Sequence, residues 1–324
     1  MNMTRMIQIG VALGVMTLLW VGLDGAQALR LLAQADPRWL ALAMLALTAQ
    51  TVLSALRWRI TARQLGQTIP MGRAVGEYYL AQVVNQSLPG GVLGDAGRAV
   101  RARHQAGLKR AGAAVAIERL AGQVTLFLTL ACGALIVTLM PGGLVLPAWV
   151  MGLIGAALAC GVAMALAVGG AGRLSGRAGR AARDLRAALR VTLLNRRALP
   201  AQIGLNLAIT AANLAAFAFC ARATGTEMAP VAVAVLVPLI LLTMILPVTV
   251  SGWGLREGAA AGLFPLIGAS AQAGMAASLA FGLIFLASTL PGLLVLLMDR
   301  RARHLPTRMS PQHLPSTLPA QADP

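Results

Sequence analysis

The residues of this chain with the clearest chemical potential are charged side chains inside otherwise apolar segments. They form three neighbourhoods, Asp95 with Arg98, Glu118 with Arg119, and Arg256 with Glu257. A charge at the centre of a membrane-spanning helix costs about 2.5 to 3.5 kcal/mol, so it persists where it is paired or useful. Arginines in such a place suit an anionic lipid head group, bound through charge-assisted hydrogen bonds. Simple pairing near the cytoplasmic surface is the alternative for the first two neighbourhoods.

Uncharged polar side chains recur at helical spacing and extend this pattern. Tyr78, Gln82 and Asn85 stand at positions i, i+4 and i+7, which predicts one polar stripe facing the bundle interior. Two further sets have similar spacing: Glu118, Gly122, Thr125 and Thr129, and Asn206, Thr210 and Asn213. Helix packing is the alternative role for the small and hydroxyl residues. The candidates for head-group binding or gating are Asn85, Asp95, Arg98, Glu118, Arg119, Arg256 and Glu257.

Metal and hydrolytic chemistry find no support in the sequence. The cysteines and histidines stand far apart, at Cys132, Cys160, Cys220, His104, His304 and His313. They lack metal-ligand spacing and form no nucleophile triad, so we predict no metal and no catalytic residue. No G-x-x-x-x-G-K-[ST] loop for a nucleotide occurs, and we expect no cofactor.

The composition places these residues in a membrane. Hydrophobic residues make up 58% and charged residues 11% of the chain, where a soluble domain carries about 25% charged residues. The net charge of +17 lies mostly in short stretches beside apolar runs, which fits membrane orientation better than nucleic-acid binding. We predict a single membrane domain over 1–298. The Pro-, Arg- and Ser-rich residues 299–324 are predicted to form a disordered cytoplasmic tail.

Apolar runs of spanning length predict an all-α polytopic membrane protein with about seven spanning helices. The predicted spans are Met6–Leu23, Trp39–Leu56, Ala113–Met140, Pro147–Val168, Pro200–Ala221, Pro230–Leu246 and Gly274–Met298. Two shorter apolar stretches, Ala74–Asp95 and Gly252–Gly268, are interrupted by Gly, Pro and charge. These two are predicted to be re-entrant or broken helices.

Arginine and lysine in short connections predict the orientation. The rich stretches are Arg57–Arg73, Arg98–Arg110, Arg173–Arg197 and Arg300–Arg308, which we place in the cytoplasm with both termini. This topology suits a bacterial-type cytoplasmic (inner) membrane. Within Arg173–Arg197 the spacing of arginines around two leucines is typical of a surface helix on anionic lipid. A signal peptide is the alternative reading of the first apolar run.

A motif occurs twice and indicates an internal repeat. The segments beginning at Leu88 and Leu246 share the pattern L-P-x(4)-G-x(3)-R, which ends at Arg98 and Arg256. The same offset aligns the second predicted span with the fifth and the third with the seventh, which predicts two copies of one unit, with a chance match in a Gly- and Leu-rich chain as the alternative. Counting crossings from a cytoplasmic N-terminus puts the two breaks on opposite sides of the membrane, so the halves 1–140 and 147–298 are predicted to be inverted. The predicted backbone turns are Pro89, Gly90, Gly94, Gly252 and Gly254.

These residues resemble the family of the lysylphosphatidylglycerol synthase transmembrane region, also described as flippase-like membrane proteins. The resemblance rests on an ordered set: Arg57-Trp58, Tyr78 to Asn85 before Leu88-Pro89-Gly90, Gly94-Asp95 with Arg98, Glu118-Arg119, and Ser251-Gly252-Trp253-Gly254 with Glu257. The family pattern usually has paired glycines before the aspartate, where this chain has Leu93-Gly94. In two-domain relatives a soluble domain transfers an aminoacyl group to phosphatidylglycerol, and these 324 residues hold no such domain.

The resemblance and the broken repeat together imply a lipid translocase. We expect a phospholipid or another anionic or zwitterionic lipid to bind between inverted halves that expose it alternately. The partners expected are membrane lipids and a separate lipid-modifying enzyme, with no nucleic acid. A membrane-embedded lipid aminoacyl- or glycosyl-transferase is the enzymatic alternative, and a scaffold for a separate synthase is another.

Overall fold

A computed structural model describes residues 3–22, 24–88, 91–139, 144–173, 175–193, 195–246, 248–295 and 297. Within these ranges the chain forms twelve α-helices and no strand. The predicted all-α polytopic membrane protein is confirmed. The predicted tail over 299–324 and the predicted turn residues Pro89 and Gly90 lie outside the described residues.

The helices follow one another with short connections. In chain order they are α1 (Met3–Gly22), α2 (Gly25–Ala33), α3 (Pro37–Gln64), α4 (Met71–Ser87), α5 (Leu93–Arg101), α6 (Arg103–Leu139), α7 (Ala148–Ala171), α8 (Gly176–Leu193), α9 (Leu199–Ala223), α10 (Pro230–Leu242), α11 (Leu255–Leu263) and α12 (Ala271–Thr289). Single 3₁₀ turns follow α10 and α11. α6 contains one non-helical residue, Gly107.

Five helical stretches of the described chain are long and apolar enough to cross a membrane: Pro37–Gln64, Ala106–Leu139, Ala148–Ala171, Leu199–Ala223 and Ala271–Val295. A sixth span is present if α1 and α2, which meet at 91°, are counted as one bent pair. The predicted span Pro230–Leu246 is not among them, because its apolar helix, Pro230–Ile245, is shorter than a spanning helix. At 1.5 Å per residue, this stretch falls short of a hydrocarbon core of about 30 Å.

Local chemistry explains where the central helix α3 begins and ends. The Asp36 side chain accepts a hydrogen bond from the backbone N–H of Arg38 (2.8 Å), and Pro37 occupies the first helical turn. Beyond the last turn, Gly66 has a φ of 82°, a left-handed conformation that glycine adopts without steric cost. The helix therefore runs eight residues beyond the predicted end at Leu56.

Both predicted breaks occur in the structure as a helix, a break and a shorter helix. In the first half α4 ends at Ser87 and α5 starts at Leu93. In the second half α10 and its 3₁₀ turn end at Ile245, and α11 starts at Leu255. The shortness of α10 thus makes the two halves more alike than the sequence indicated.

Helix packing also repeats between the halves. α3, α4, α5 and α6 correspond in order to α9, α10, α11 and α12. Within the halves, α3 contacts α4 and α6 as α9 contacts α10 and α12, and α5 packs on α6 as α11 packs on α12. Between the halves, α6 packs on α10 as α12 packs on α4, and α3 and α9 pack on each other. Matching contacts of this kind are expected of two copies of one unit. The inverted orientation of the copies stays a prediction.

The largest apolar core lies around α9, where aromatic rings from α9, α12 and the 3₁₀ turn after α11 meet. Phe217 contacts Phe264 and Phe281 with ring centroids 6.4 and 5.4 Å apart. All three rings are almost fully buried. Aromatic pairs at such distances stabilise a core beyond their buried area. These rings hold α9 and α12 together with the 3₁₀ turn that follows α11.

Candidate functional site

The first cluster of buried charge is centred on Glu118 of α6. Its carboxylate accepts hydrogen bonds from Arg57 Nη2 at 3.2 Å, from Arg98 Nη2 at 3.0 Å and from the Tyr78 hydroxyl. These donors come from α3, α5 and α4 respectively. Glu118 is 2% exposed and Arg98 1% exposed, so solvent does not screen the pair. Four helices therefore converge on one carboxylate.

Asp95 of α5 is the second acceptor of this cluster. It accepts from Arg98 Nη2 at 3.0 Å, from Arg119 Nε at 2.7 Å and from Asn85 Nδ2 at 3.2 Å. Arg119 also donates to the carbonyl of Gly91 at 2.8 Å, inside the first break. Asp95 thus connects the break to Glu118 through the shared guanidinium of Arg98.

Gly94 sets the approach of α5 to α4 at this point. Its backbone N–H donates to Asn85 Oδ1 at 2.8 Å. A Cβ on Gly94 would lie 2.0 Å from the carbonyl oxygen of Ala81, a backbone atom that cannot move aside. The sequence predicts a turn at Gly94, but this residue lies in α5 at its close contact with α4, and only glycine allows that contact.

Arg98 is held between two aromatic rings as well as two carboxylates. Its guanidinium carbon lies 4.5 Å from the centroid of the Trp58 ring and 4.2 Å from that of Tyr78. A desolvated cation gains about 2 kcal/mol from such a ring face. The rings stabilise the charge without occupying its hydrogen-bond donors.

The first cluster carries more positive than negative charge. Three arginines, Arg57, Arg98 and Arg119, face two carboxylates, which leaves an excess of one positive charge. Among the described residues, Arg57 Nε and the Nε and Nη1 atoms of Arg98 are buried without a hydrogen-bond acceptor. Arg119 is 46% exposed, whereas Arg98 is buried behind it. The cluster can therefore accept an anion, and Arg119 marks the side open to the surroundings.

The predicted polar stripe of α4 is confirmed by its contacts. Besides Tyr78 and Asn85, it includes Gln82, which accepts from Thr51 Oγ1 at 3.1 Å and donates to Gln50 Oε1 at 3.4 Å. The stripe faces α3, α5 and α6 inside the bundle. It joins the charge cluster to polar residues of α3.

The polar side chains of α6 and α9 fall into two groups, one in the charge cluster and one that packs within the helices. Asn206 accepts from Arg57 Nη1, which brings α9 into the first cluster. Thr125, Thr129 and Asn213 bond carbonyl groups one turn back on their own helices. These three satisfy themselves locally, in agreement with the packing alternative.

The second cluster lies where α11 meets α12. Glu257 Oε1 accepts from Arg256 Nη2 at 2.6 Å and from Ser278 Oγ at 2.9 Å, and Ser278 Oγ also accepts from Arg256 Nε at 2.9 Å. The other carboxylate oxygen accepts from the backbone N–H of Gly254 at 2.7 Å. The charges of this cluster cancel, and its buried side-chain nitrogens and oxygens all have partners among the described residues.

Glycines at the second break make room for this closed arrangement. Gly252 and Gly254 have φ values of 80° and 87°, so the predicted turns occur at both positions. On α12, a Cβ on Gly282 would lie 2.2 Å from Arg256 Nη2. Ser251, with a φ of 51°, donates its hydroxyl to Gln86 near the end of α4. The two breaks therefore contact each other across the halves.

The predicted candidate residues thus fall into two separate clusters. Asn85, Asp95, Arg98, Glu118 and Arg119 meet in the first, and Arg256 and Glu257 form the second. In the described part of the chain, no hydrogen bond or ion pair joins one cluster to the other. The two motif arginines are alike in sequence position and differ in surroundings.

Three contributors to the clusters are not among the predicted site residues. The sequence predicts Arg57 in a cytoplasmic connection, but α3 continues to Gln64 and buries it. Asn206 belongs to a polar spacing on α9 that names no role for it, and Ser278 has no sequence signal in its alanine-rich surroundings. Arg98 likewise lies within α5 rather than in a basic loop. For Arg57 a signal is available: it lies three residues after Ser54, which puts both side chains on the same face of a continuing helix.

Comparison with known proteins adds one finding. The family model described as the lysylphosphatidylglycerol synthase TM region matches residues 7–292. No curated protein and no solved structure matches the chain. The match covers both breaks and both clusters of charge.

Proposed function

Because the chain belongs to the lysylphosphatidylglycerol synthase TM region family, we propose that it binds a phospholipid by its anionic or zwitterionic head group and moves it between leaflets. Family membership supports a membrane protein in lipid modification or transport. Translocation by a non-catalytic membrane domain is our proposal. It places the protein in a bacterial-type cytoplasmic membrane with both termini in the cytoplasm.

The observation that carries the proposal is the excess positive charge of the first cluster. An uncompensated charge in a dry interior is costly, and proteins keep it where it serves a ligand. A lipid phosphate brings one negative charge and several acceptor oxygens, which match the unpartnered donors of Arg98 and Arg57. The neutral second cluster offers no such excess and is assigned a structural role at the opposite break.

The exposure of the arginines indicates an order of contact. Arg119 is half exposed and bonds Asp95, so an arriving phosphate first competes with Asp95 for Arg119. Release of Asp95 frees one side of Arg98, which also bonds Glu118. Glu118 keeps Arg98 in place during this exchange. Rocking of the two repeats about α3 and α9 would then change the leaflet that the site faces.

The test is lipid translocation in proteoliposomes that contain a labelled anionic lipid. We expect Arg119→Gln to reduce translocation severalfold, because it removes the outermost cation of the site. Arg222→Gln is the matched control, since Arg222 is also 46% exposed, also pairs with one carboxylate and lies outside both clusters. Equal rates for Arg119→Gln and wild type, or equal losses for the two variants, would contradict the assignment of the site.

A second measurement separates transport from lipid synthesis. Lipids are extracted from a host that expresses the chain and lacks the family's modified lipids. We expect no new lipid species, with translocation retained in proteoliposomes. A new aminoacylated or glycosylated lipid would indicate a transferase instead, and co-purification with a synthase without translocation would indicate a scaffold.

A further inference from the structure

A small pocket beside the first cluster has the composition of a second anion site. It is lined by Trp58 of α3, Arg73 and Glu77 of α4, Arg101 of α5 and His104 of α6. Arg101 donates through Nε to Glu77, and Arg73 has no ion-pair partner among the described residues. The two arginines and one carboxylate that line the pocket leave one positive charge in excess. None of the seven candidate residues of the sequence lines this pocket.

The N-terminus of α4 opens onto the same pocket. Ile69 and Pro70 contribute to the lining, and Pro70 is the N-cap residue of a helix of 17 residues. Proline has no side-chain acceptor, so the side chain of the N-cap residue bonds none of the first backbone N–H groups of α4. The positive end of the helix dipole and these N–H groups favour an anion.

Buried donors without acceptors provide independent evidence for a ligand. Trp58 is 1% exposed, and its Nε1 has no hydrogen-bond partner among the described residues. Arg101 Nη2 is buried and unpartnered as well. Buried polar groups in proteins are almost always bonded, so two such donors around one pocket indicate an acceptor that belongs there.

We propose that this pocket binds a phosphate group. A tetrahedral phosphate offers oxygens in several directions at once, toward the indole N–H, the arginines and the helix N-terminus, which a flat carboxylate does not. Trp58 also contacts the Arg98 guanidinium, whose carbon lies 4.5 Å from its ring centroid. The pocket and the first cluster are therefore neighbours that share one indole. The phosphate comes either from a lipid head group or from free phosphate.

Equilibrium dialysis with ³²P-labelled inorganic phosphate tests the pocket in the full chain, purified in a non-ionic detergent at fixed ionic strength. We expect saturable binding that includes one phosphate per chain whose affinity depends on Arg73. Arg73→Gln should weaken it about tenfold or more, because a charge-assisted bond is lost. Trp58→Phe, which keeps the ring and removes the N–H, should weaken it less. The matched control is Arg63→Gln, an exposed arginine in the last turn of α3 that does not line the pocket.

Competition distinguishes the two sources of phosphate. If short-chain phosphatidic acid displaces the labelled phosphate in wild type, the pocket takes a lipid phosphate. If it does not, while saturable binding and the Arg73→Gln effect are present, the pocket takes free phosphate. Absence of saturable binding of labelled phosphate would overturn the proposal, as would equal weakening by Arg63→Gln and Arg73→Gln. None of these measurements depends on translocation, so the pocket and the proposed transport function fail or stand separately.

Discussion

Arg98 Nη2 lies 3.0 Å from Glu118 Oε2, and the two side chains are each 1% exposed. Glu118 also accepts hydrogen bonds from Arg57 and Tyr78, so one carboxylate compensates two buried guanidinium groups. Glu118→Gln keeps the shape of the side chain and removes its charge. We expect the variant to lose about 3 kcal/mol or more of unfolding free energy, because buried arginines lose their counter-charge. Thermal unfolding in detergent measures the loss.

Glu227→Gln is the control for this prediction. Glu227 pairs with Arg222 at 3.0 Å, but its side chain is 73% exposed. An exposed pair contributes about 1 kcal/mol or less, so its removal should barely change the unfolding temperature. A double variant, Glu118→Gln with Arg57→Gln, should regain part of the loss by removing one of the stranded cations. Equal unfolding temperatures for Glu118→Gln and Glu227→Gln would refute the central role of Glu118.

Gly282 of α12 decides how closely Arg256 can approach that helix. A Cβ at this position would lie 2.2 Å from Arg256 Nη2 and 2.8 Å from the Trp253 ring. Gly282→Ala should therefore push Arg256 away from Glu257 and cost about 1 to 3 kcal/mol by overpacking. Gly262→Ala on α11 is the control, because nothing lies within 4 Å of its Cβ. We expect it to be neutral or to stabilise the helix by about 0.5 to 1 kcal/mol. A stable Gly282→Ala variant would show that the cluster is not closed at this point.

Gly94→Ala tests the corresponding contact of the first break. The added Cβ would lie 2.0 Å from the carbonyl oxygen of Ala81, so α5 must move away from α4 and lose the bond to Asn85. We expect lower thermal stability and loss of translocation together, since Asp95 and Arg98 move with α5. Gly112→Ala on α6 has open space around its Cβ and should leave both quantities unchanged. Normal translocation by the Gly94→Ala variant would show that transport does not depend on the close packing of α5 on α4.

The membrane class, the two breaks and the polar stripe of α4 follow from sequence because they depend on local patterns. Apolar length and the spacing of Tyr78, Gln82 and Asn85 are readable without any tertiary contact. The meeting of α3, α5 and α6 at Glu118 is not, because it depends on where α3 ends and how helices cross. The burial of Arg57 illustrates the difficulty, since an arginine after an apolar run is normally the mark of a membrane boundary.

The division of the candidates into two clusters was also beyond the sequence. Arg98 and Arg256 end the same motif, and motif position alone makes them equivalent. Their partners come from other helices: Glu118 and Asp95 for one, Glu257 and Ser278 for the other. The excess charge arises from this choice of partners, which only packing determines.

The hydrogen bond from Ser251 to Gln86 joins the two breaks, and we expect this contact to open during alternating access. The native cysteines Cys132, Cys160 and Cys220 are first replaced, and Gln86→Cys and Ser251→Cys are then introduced together. A short cleavable thiol cross-linker should connect the two positions, because the native side chains are in contact. If alternating access needs the repeats to move apart at this point, the cross-linked protein will translocate no lipid.

Cleavage of that cross-link should restore the initial rate, which shows that the arrest comes from the tether and not from the substitutions. Each single cysteine variant, treated with the same reagent, should keep its transport activity and so controls for modification alone. Continued translocation by the fully cross-linked protein would mean that the breaks stay together through the cycle. In that case the moving boundary lies elsewhere than between α4 and the turn before α11, and the exchange of partners at Arg98 would have to occur without separation of the halves.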